Sequence, residues 1–95
     1  MNKDLSFIYE NLKLKKKNIK LEQTDTNVLK GFIETKKENV GIMITIYDKR
    51  DFIENTVGYQ LLIGGLAIDG SNLIDIKEVP NRIMDGIKSY EKMVV

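Results

Sequence analysis

The sequence predicts an α+β fold: a two-layer domain with an antiparallel sheet of about four to five strands, an N-terminal helix and a C-terminal helix. Three observations carry this expectation. Apolar residues recur every three or four positions up to Leu12, then every second position from Ile19 onward. The period-2 segments are joined by polar turns of a few residues, too short for the crossover that parallel strands need. After Pro80 the apolar spacing is again that of a helix.

The elements follow in order. Leu5, Ile8, Tyr9 and Leu12 fall at i, i+3, i+4 and i+7, which predicts a helix from Asp4 to about Lys16. Asn2 is placed to cap it, and lysines gather in its last turn, where they favour the negative end of the helix dipole. "NIKLEQ" alternates Ile19 and Leu21 with Lys20 and Glu22, a half-buried strand. "TDTN" (Thr24 to Asn27) has turn chemistry, and "VLKGFIETK" follows as a second strand with Leu29, Gly31, Ile33 and Thr35 on one face. "KKEN" is a polar reversal. "VGIMITIYD" is a third strand, with Ile42, Ile44 and Ile46 pointing one way and Met43, Thr45 and Tyr47 the other.

Beyond the polar loop "DKRDFIEN", "TVGYQLLIGGLAIDG" fits a strand or a helix; its Gly64–Gly65 pair argues for a kinked or bulged strand. "DGSN" reads as a turn, and "LIDIKE" as a short strand with Leu73, Ile74 and Ile76 near the edge of the core. Pro80 suits the first turn of a helix whose stripe is Ile83, Ile87, Tyr90 and Val94. No internal repeat or linker interrupts residues 1–95, which read as a single domain.

Composition removes whole classes of chemistry. The chain has no cysteine and no histidine, so no thiolate metal site, no disulfide and no histidine-based triad can form. An enzyme is not expected, nor is a cofactor. "MNKDLSFIYE" carries acids and no apolar core segment, unlike a signal peptide. The longest apolar run, Leu61 to Ile68, is too short to span a bilayer as a helix. The expectation is a soluble cytoplasmic protein with no membrane partner. Charge is unevenly spread: residues 1–20 sum to +4, residues 21–50 to zero and residues 51–95 to −3.

Several constellations invite a functional reading. Lys13, Lys16, Lys17 and Lys20 could form a phosphate-binding patch, which makes nucleic acid the alternative partner; a solvated helix end is the plain reading. Asp25, Glu34 and Lys36 resemble the two carboxylates and lysine of a PD-(D/E)xK nuclease core, a pattern that also arises by chance on a wet strand. Asp48, Asp51 and Glu54 lack the spacing of a calcium loop, and no metal site is predicted. The glycines of "GYQLLIGGLAIDG" match no phosphate-binding fingerprint.

The strongest pointer is an apolar surplus. "VGIMITIY" and "YQLLIGGLAI" carry apolar residues on both faces, although one face of a two-layer sheet should be polar unless something covers it. Either a segment of the same chain covers it, or another chain does. The residues assigned to such a protein interface are Met43, Thr45, Tyr47, Tyr59 and Leu61. A homodimer through an edge strand or sheet face is the simplest form.

"MNKDL" opening a short helix, followed by "KLEQTDTN" (Lys20 to Asn27) as strand and turn, is similar to the N-terminal third of small phage-encoded anti-CRISPR proteins that inhibit Cas9. The resemblance ends at Asn27. It implies a non-catalytic protein that acts by occupying a nuclease surface, with a helix, strands, helix order. That family's acidic mimicry has no dense counterpart here, because Asp48, Asp51 and Glu54 are offset by Lys49 and Arg50. The expected function is therefore a small non-catalytic binding protein acting through a protein–protein interface, of the type that phages and mobile elements encode as inhibitors or accessory proteins.

Overall fold

The computed structural model describes residues 3–15, 18–49 and 53–93. Helix α1 (Lys3–Lys15) precedes strands β1 (Ile19–Asp25), β2 (Val28–Glu34), β3 (Asn39–Asp48), β4 (Thr56–Ile63) and β5 (Leu66–Asp75). A 3₁₀ turn (Ile76–Glu78) leads into helix α2 (Val79–Met93). The strands pair antiparallel in sequence order, β1-β2-β3-β4-β5, so each turn joins immediate neighbours. The expected α+β class, the single antiparallel sheet and both terminal helices are present. The proposed cap Asn2 and the last stripe residue Val94 lie outside the described residues.

Register explains the layers. Ile42, Ile44 and Ile46 of β3 face Ile63, Leu61 and Tyr59 of β4 across the ladder. Ile33 and Leu29 continue the same face through β2. All of these are buried, together with Leu5, Ile8 and Leu12 of α1 and Val79, Ile83 and Ile87 of α2. Both helices therefore share one face of the sheet and touch each other there. Each such Ile or Leu contributes about 1.5–3 kcal/mol by leaving water.

The turns show why local chemistry suffices to fold the meander back. Asp25 Oδ1 accepts from the Thr26 N–H at 2.7 Å at the β1–β2 reversal. At the next reversal, Thr35 N–H donates to the Glu38 carbonyl at 3.0 Å and Glu38 N–H to Thr35 Oγ1 at 3.1 Å. Between β4 and β5, Gly64 (φ +60°) and Gly65 (φ +81°) both lie in the left-handed region. Ile63 pairs with Leu66, so these two glycines are the entire loop, a two-residue turn of the primed kind that fits the twist of a hairpin.

That turn corrects the reading of residues 56–78. The glycine pair does not kink a strand; it separates two. "DGSN" is not a turn but the middle of β5. Leu73, expected near the core, is 48% exposed, and Ile76–Glu78 is 3₁₀ rather than strand. Asp75 ends the ladder by accepting from the Lys77 N–H at 2.9 Å, which offers the backbone a local alternative to pairing. Strand β5 also carries two one-residue slips against β4, between the partners of Leu61 and Leu62 and between those of Val57 and Tyr59.

Gly31 marks the tightest approach in the sheet. A Cβ built on it would sit 1.8 Å from the Lys20 carbonyl oxygen, which belongs to backbone and cannot swing aside. Gly31→Ala is expected to push β1 off β2 and cost about 2 kcal/mol or more. Denaturant unfolding checks the loss, and amide exchange should locate it in β1; an unchanged midpoint would refute it.

Candidate functional site

Among the described residues, no helix covers the opposite face of the sheet. Alternation places Met43, Thr45 and Tyr47 there, three of the residues assigned to an interface. Ladder partners extend the surface: Lys30 lies opposite Met43, Phe32 opposite Gly41, Leu62 opposite Met43, and Gln60 opposite Thr45. Phe32 and Tyr47 are 37% and 46% exposed. Met43 and Leu62 are half-buried, and Thr45 is closed in by its neighbours. The centre of the face is thus packed against itself, and its two aromatic rings stand at opposite ends.

Tyr59 and Leu61 do not belong to this surface. They are 2% and 0% exposed because β4 pairs them with Ile46 and Ile44, on the helix side. One strand cannot present neighbours of the same parity to both layers. Their place on the open face is taken by Gly58, Gln60 and Leu62.

The small residues of β4 and β5 leave a concavity. A groove of about 720 Å³ runs over Gly58 and Gly70, with Tyr47, Lys49, Gln60 and Asn72 along it. The Lys49 stem lies over Gly58, its Cε 3.4 Å from where a Cβ would stand. The groove has an aromatic wall, an amide on each strand and one ammonium group at its end.

The lysine cluster is only partly brought together. Lys13, with its Nζ 5.6 Å from the Tyr9 ring centroid, lines a small cleft between α1 and β1 with Ile19 and Leu21; Lys20 borders it in sequence, but alternation carries its side chain to the open face. Lys15 turns the other way and donates to Asn81 Oδ1 at 2.5 Å, tying α1 to the start of α2. Lys16 and Lys17 lie outside the described residues. The nuclease-like set is separated: Asp25 pairs with Val28 at one end of the β1–β2 hairpin, and Glu34 ends β2 at the other. At about 3.3 Å per residue the two carboxylates are roughly 20 Å apart, too far to share an ion. Of the loop acids, Asp48 closes β3 and Glu54 is exposed; Asp51 lies outside the described residues.

A polar cluster that the sequence did not disclose sits on the helix side. Arg82 of α2 grips Asp69 of β5 with two hydrogen bonds, Nε to Oδ2 and Nη2 to Oδ1, each 2.9 Å. The Tyr59 hydroxyl donates to Asp69 Oδ2, and the guanidinium lies 5.7 Å from the Tyr59 ring centroid. The slip near Leu61 causes this. Counting back from the Gly64–Gly65 turn without it, Asp69 would point to the open face; the extra residue turns it toward α2. Hydrogen bonds from Arg82 hold the Asp69 carboxyl below its ordinary value, and burial followed by the Asp69 bond pushes the Tyr59 phenol up. The cluster fastens α2 to the sheet.

Comparison with protein-family models, with curated proteins and with solved structures finds no match to this chain. No described helix is long and apolar enough to cross a membrane.

The cluster sets a pH dependence of stability. Asp69 titrates lower when folded, so its contribution is complete above its ordinary value of 3.8 and is lost as pH falls through the depressed folded value. Tyr59 titrates higher when folded, so its contribution is complete below 10.0 and is lost as pH rises above that. Asp69→Asn should cost about 1 kcal/mol near neutral pH, discounted for the partly exposed guanidinium, and flatten the acid limb of a plot of thermal midpoint against pH. Tyr59→Phe should flatten the alkaline limb and shift the acid limb less than Asp69→Asn does, because the phenol is the lesser of the two side-chain hydrogen-bond donors holding Asp69 down. Limbs that keep their wild-type slopes would remove these assignments.

Proposed function

We propose that this chain is a small non-catalytic binding protein that docks a protein partner against the open face of its sheet. The observation that supports this reading is the placement of both helices on one face while Phe32, Met43, Tyr47 and Leu62 occupy the other. Exposed apolar side chains on a formed β surface favour a partner with its own apolar segment. Lys49 at the end of the glycine-floored groove favours an acidic side chain beside that segment. The absence of histidine and cysteine from the sequence supports a role without catalysis. In its narrower form the proposal is a cytoplasmic inhibitor or accessory protein of a phage or mobile element, in keeping with the anti-CRISPR-like segments that fall on the start of α1 and on β1 with the β1–β2 turn.

A second reading is favoured by one contact set. Lys13 stands beside the Tyr9 ring at the cleft between α1 and β1, a cation next to a stacking surface. If that cleft takes single-stranded nucleic acid, affinity should fall steeply with salt from about 50 to 200 mM and be weakened in Lys13→Ala.

The protein-docking reading is tested by a photo-crosslinking amino acid placed at Tyr47, with Lys88 on the exposed side of α2 as the control position. We expect one discrete crosslinked protein from position 47 and none from 88. The same protein, purified, should bind wild type and lose roughly tenfold or more affinity for Met43→Glu. Identical products from both positions, or binding indifferent to Met43→Glu, would overturn it.

A further inference from the structure

The two edges of the sheet differ. Strand β5 is broken by its two slips, which protect an edge against further pairing. Strand β1 pairs with β2 in an unbroken register from Ile19 to Gln23, and its other side has no neighbour in the sheet. Which of its groups face outward follows from the ladder. The Asn18 carbonyl accepts from the Glu34 N–H at 2.9 Å, so Asn18, Lys20 and Glu22 turn their backbone groups inward to β2. Ile19, Leu21 and Gln23 turn theirs outward.

Side chains then select a partner. Lys20 and Glu22 both stand on the open face, exposed, two residues apart on the edge. A second β1 can pair antiparallel in three central registers. Centring on Lys20 sets lysine opposite lysine; centring on Glu22 sets glutamate opposite glutamate. Centring on Leu21 sets Lys20 opposite the second copy's Glu22, and Glu22 opposite its Lys20. That register also joins the outward groups of Leu21 to Leu21 and of Ile19 to Gln23, leaving none unmatched. Opposite charges directly across a ladder stabilise and like charges destabilise. The edge is therefore complementary to itself in one register alone.

We infer that β1 is a self-association edge, and that two copies of this chain join antiparallel about Leu21 into one continuous sheet. The twofold axis runs perpendicular to the sheet, so the two open faces lie side by side on the same surface of the dimer. On the helix side, the half-buried Tyr9 and Leu21 meet across the junction, and the cleft they line with Lys13 is closed by the second copy. The paired edges are short and cover less than the roughly 800 Å² per partner of a standard interface, so the dimer dissociates in the micromolar to millimolar range. The inference is independent of docking on the open face, because Met43 and Tyr47 take no part in it.

Sedimentation equilibrium of the full chain from about 10 μM to 1 mM reads the association directly. We expect a concentration-dependent dimer. Lys20→Glu and Glu22→Lys, each alone, should weaken it roughly tenfold or more by setting like charges opposite each other, while circular dichroism shows the fold retained. An equimolar mixture of the two single variants should dimerise again, because each then meets its complement, and the combined swap Lys20→Glu with Glu22→Lys should restore the homodimer. Met43→Glu should leave the dimer unchanged, which separates this result from the docking test. A monomer throughout, or a dimer that neither single variant weakens, would overturn the inference; loss in the single variants without recovery in the mixture would also overturn the register.

Discussion

Everything in this molecule depends on one-sided burial of a period-2 sheet. The side chains of Ile42, Ile44, Ile46, Leu61 and Ile63 alternate to one side only, and two amphipathic helices supply the apolar stripes that cover them. Neither layer is stable without the other: a helix of this length is marginal alone, and a bare meander would expose its isoleucines. Because α1 and α2 lie on the same face, the opposite face is left to whatever its own residues can do. The site is a by-product of the core. Its position is fixed by the parity of β3, not by any residue in the site.

That parity was legible in part. The split of β3 into Ile42, Ile44 and Ile46 against Met43, Thr45 and Tyr47 follows from alternation, and the structure keeps it. The helix stripes Leu5, Ile8, Leu12 and Ile83, Ile87 were equally plain, since their spacing has no other use. What could not be read was which parity of β4 joins which layer. Tyr59 and Leu61 look like Tyr47 and Met43 in sequence, apolar residues at alternate positions, and only the length of the β3–β4 connection decides that they meet Ile46 and Ile44.

The second half of the sheet was misread for a related reason. A glycine pair inside an apolar run marks either a distorted strand or a primed turn, and the two readings differ by one whole strand. Once Gly64 and Gly65 are a turn, Asp69 stands in β5, but its side still depends on a slip that no residue type announces. Ile68 and Asp69 are an ordinary apolar–acidic pair until the extra residue turns Asp69 toward Arg82. The polar clamp is thus a consequence of backbone irregularity, and irregularities of one residue leave almost no trace in composition. Asp75 is the exception: an aspartate two residues before a backbone amide it can reach is a recognisable stop signal.

The order β1-β2-β3-β4-β5 has a consequence for how the chain reaches this state. Every strand pairs with its neighbour in sequence, so each ladder closes only a short loop of chain. The contacts between α1 and α2 are of another kind, since they join elements separated in sequence by all five strands. Hairpins of this sort form in microseconds, and local topology of this kind favours rapid folding. The late event is then the meeting of α1 and α2, when Lys15 reaches Asn81 and the two helices close over the isoleucine face. Synthesis delivers α2 after all five strands, so on the ribosome the isoleucine face stays half-covered until that helix has emerged.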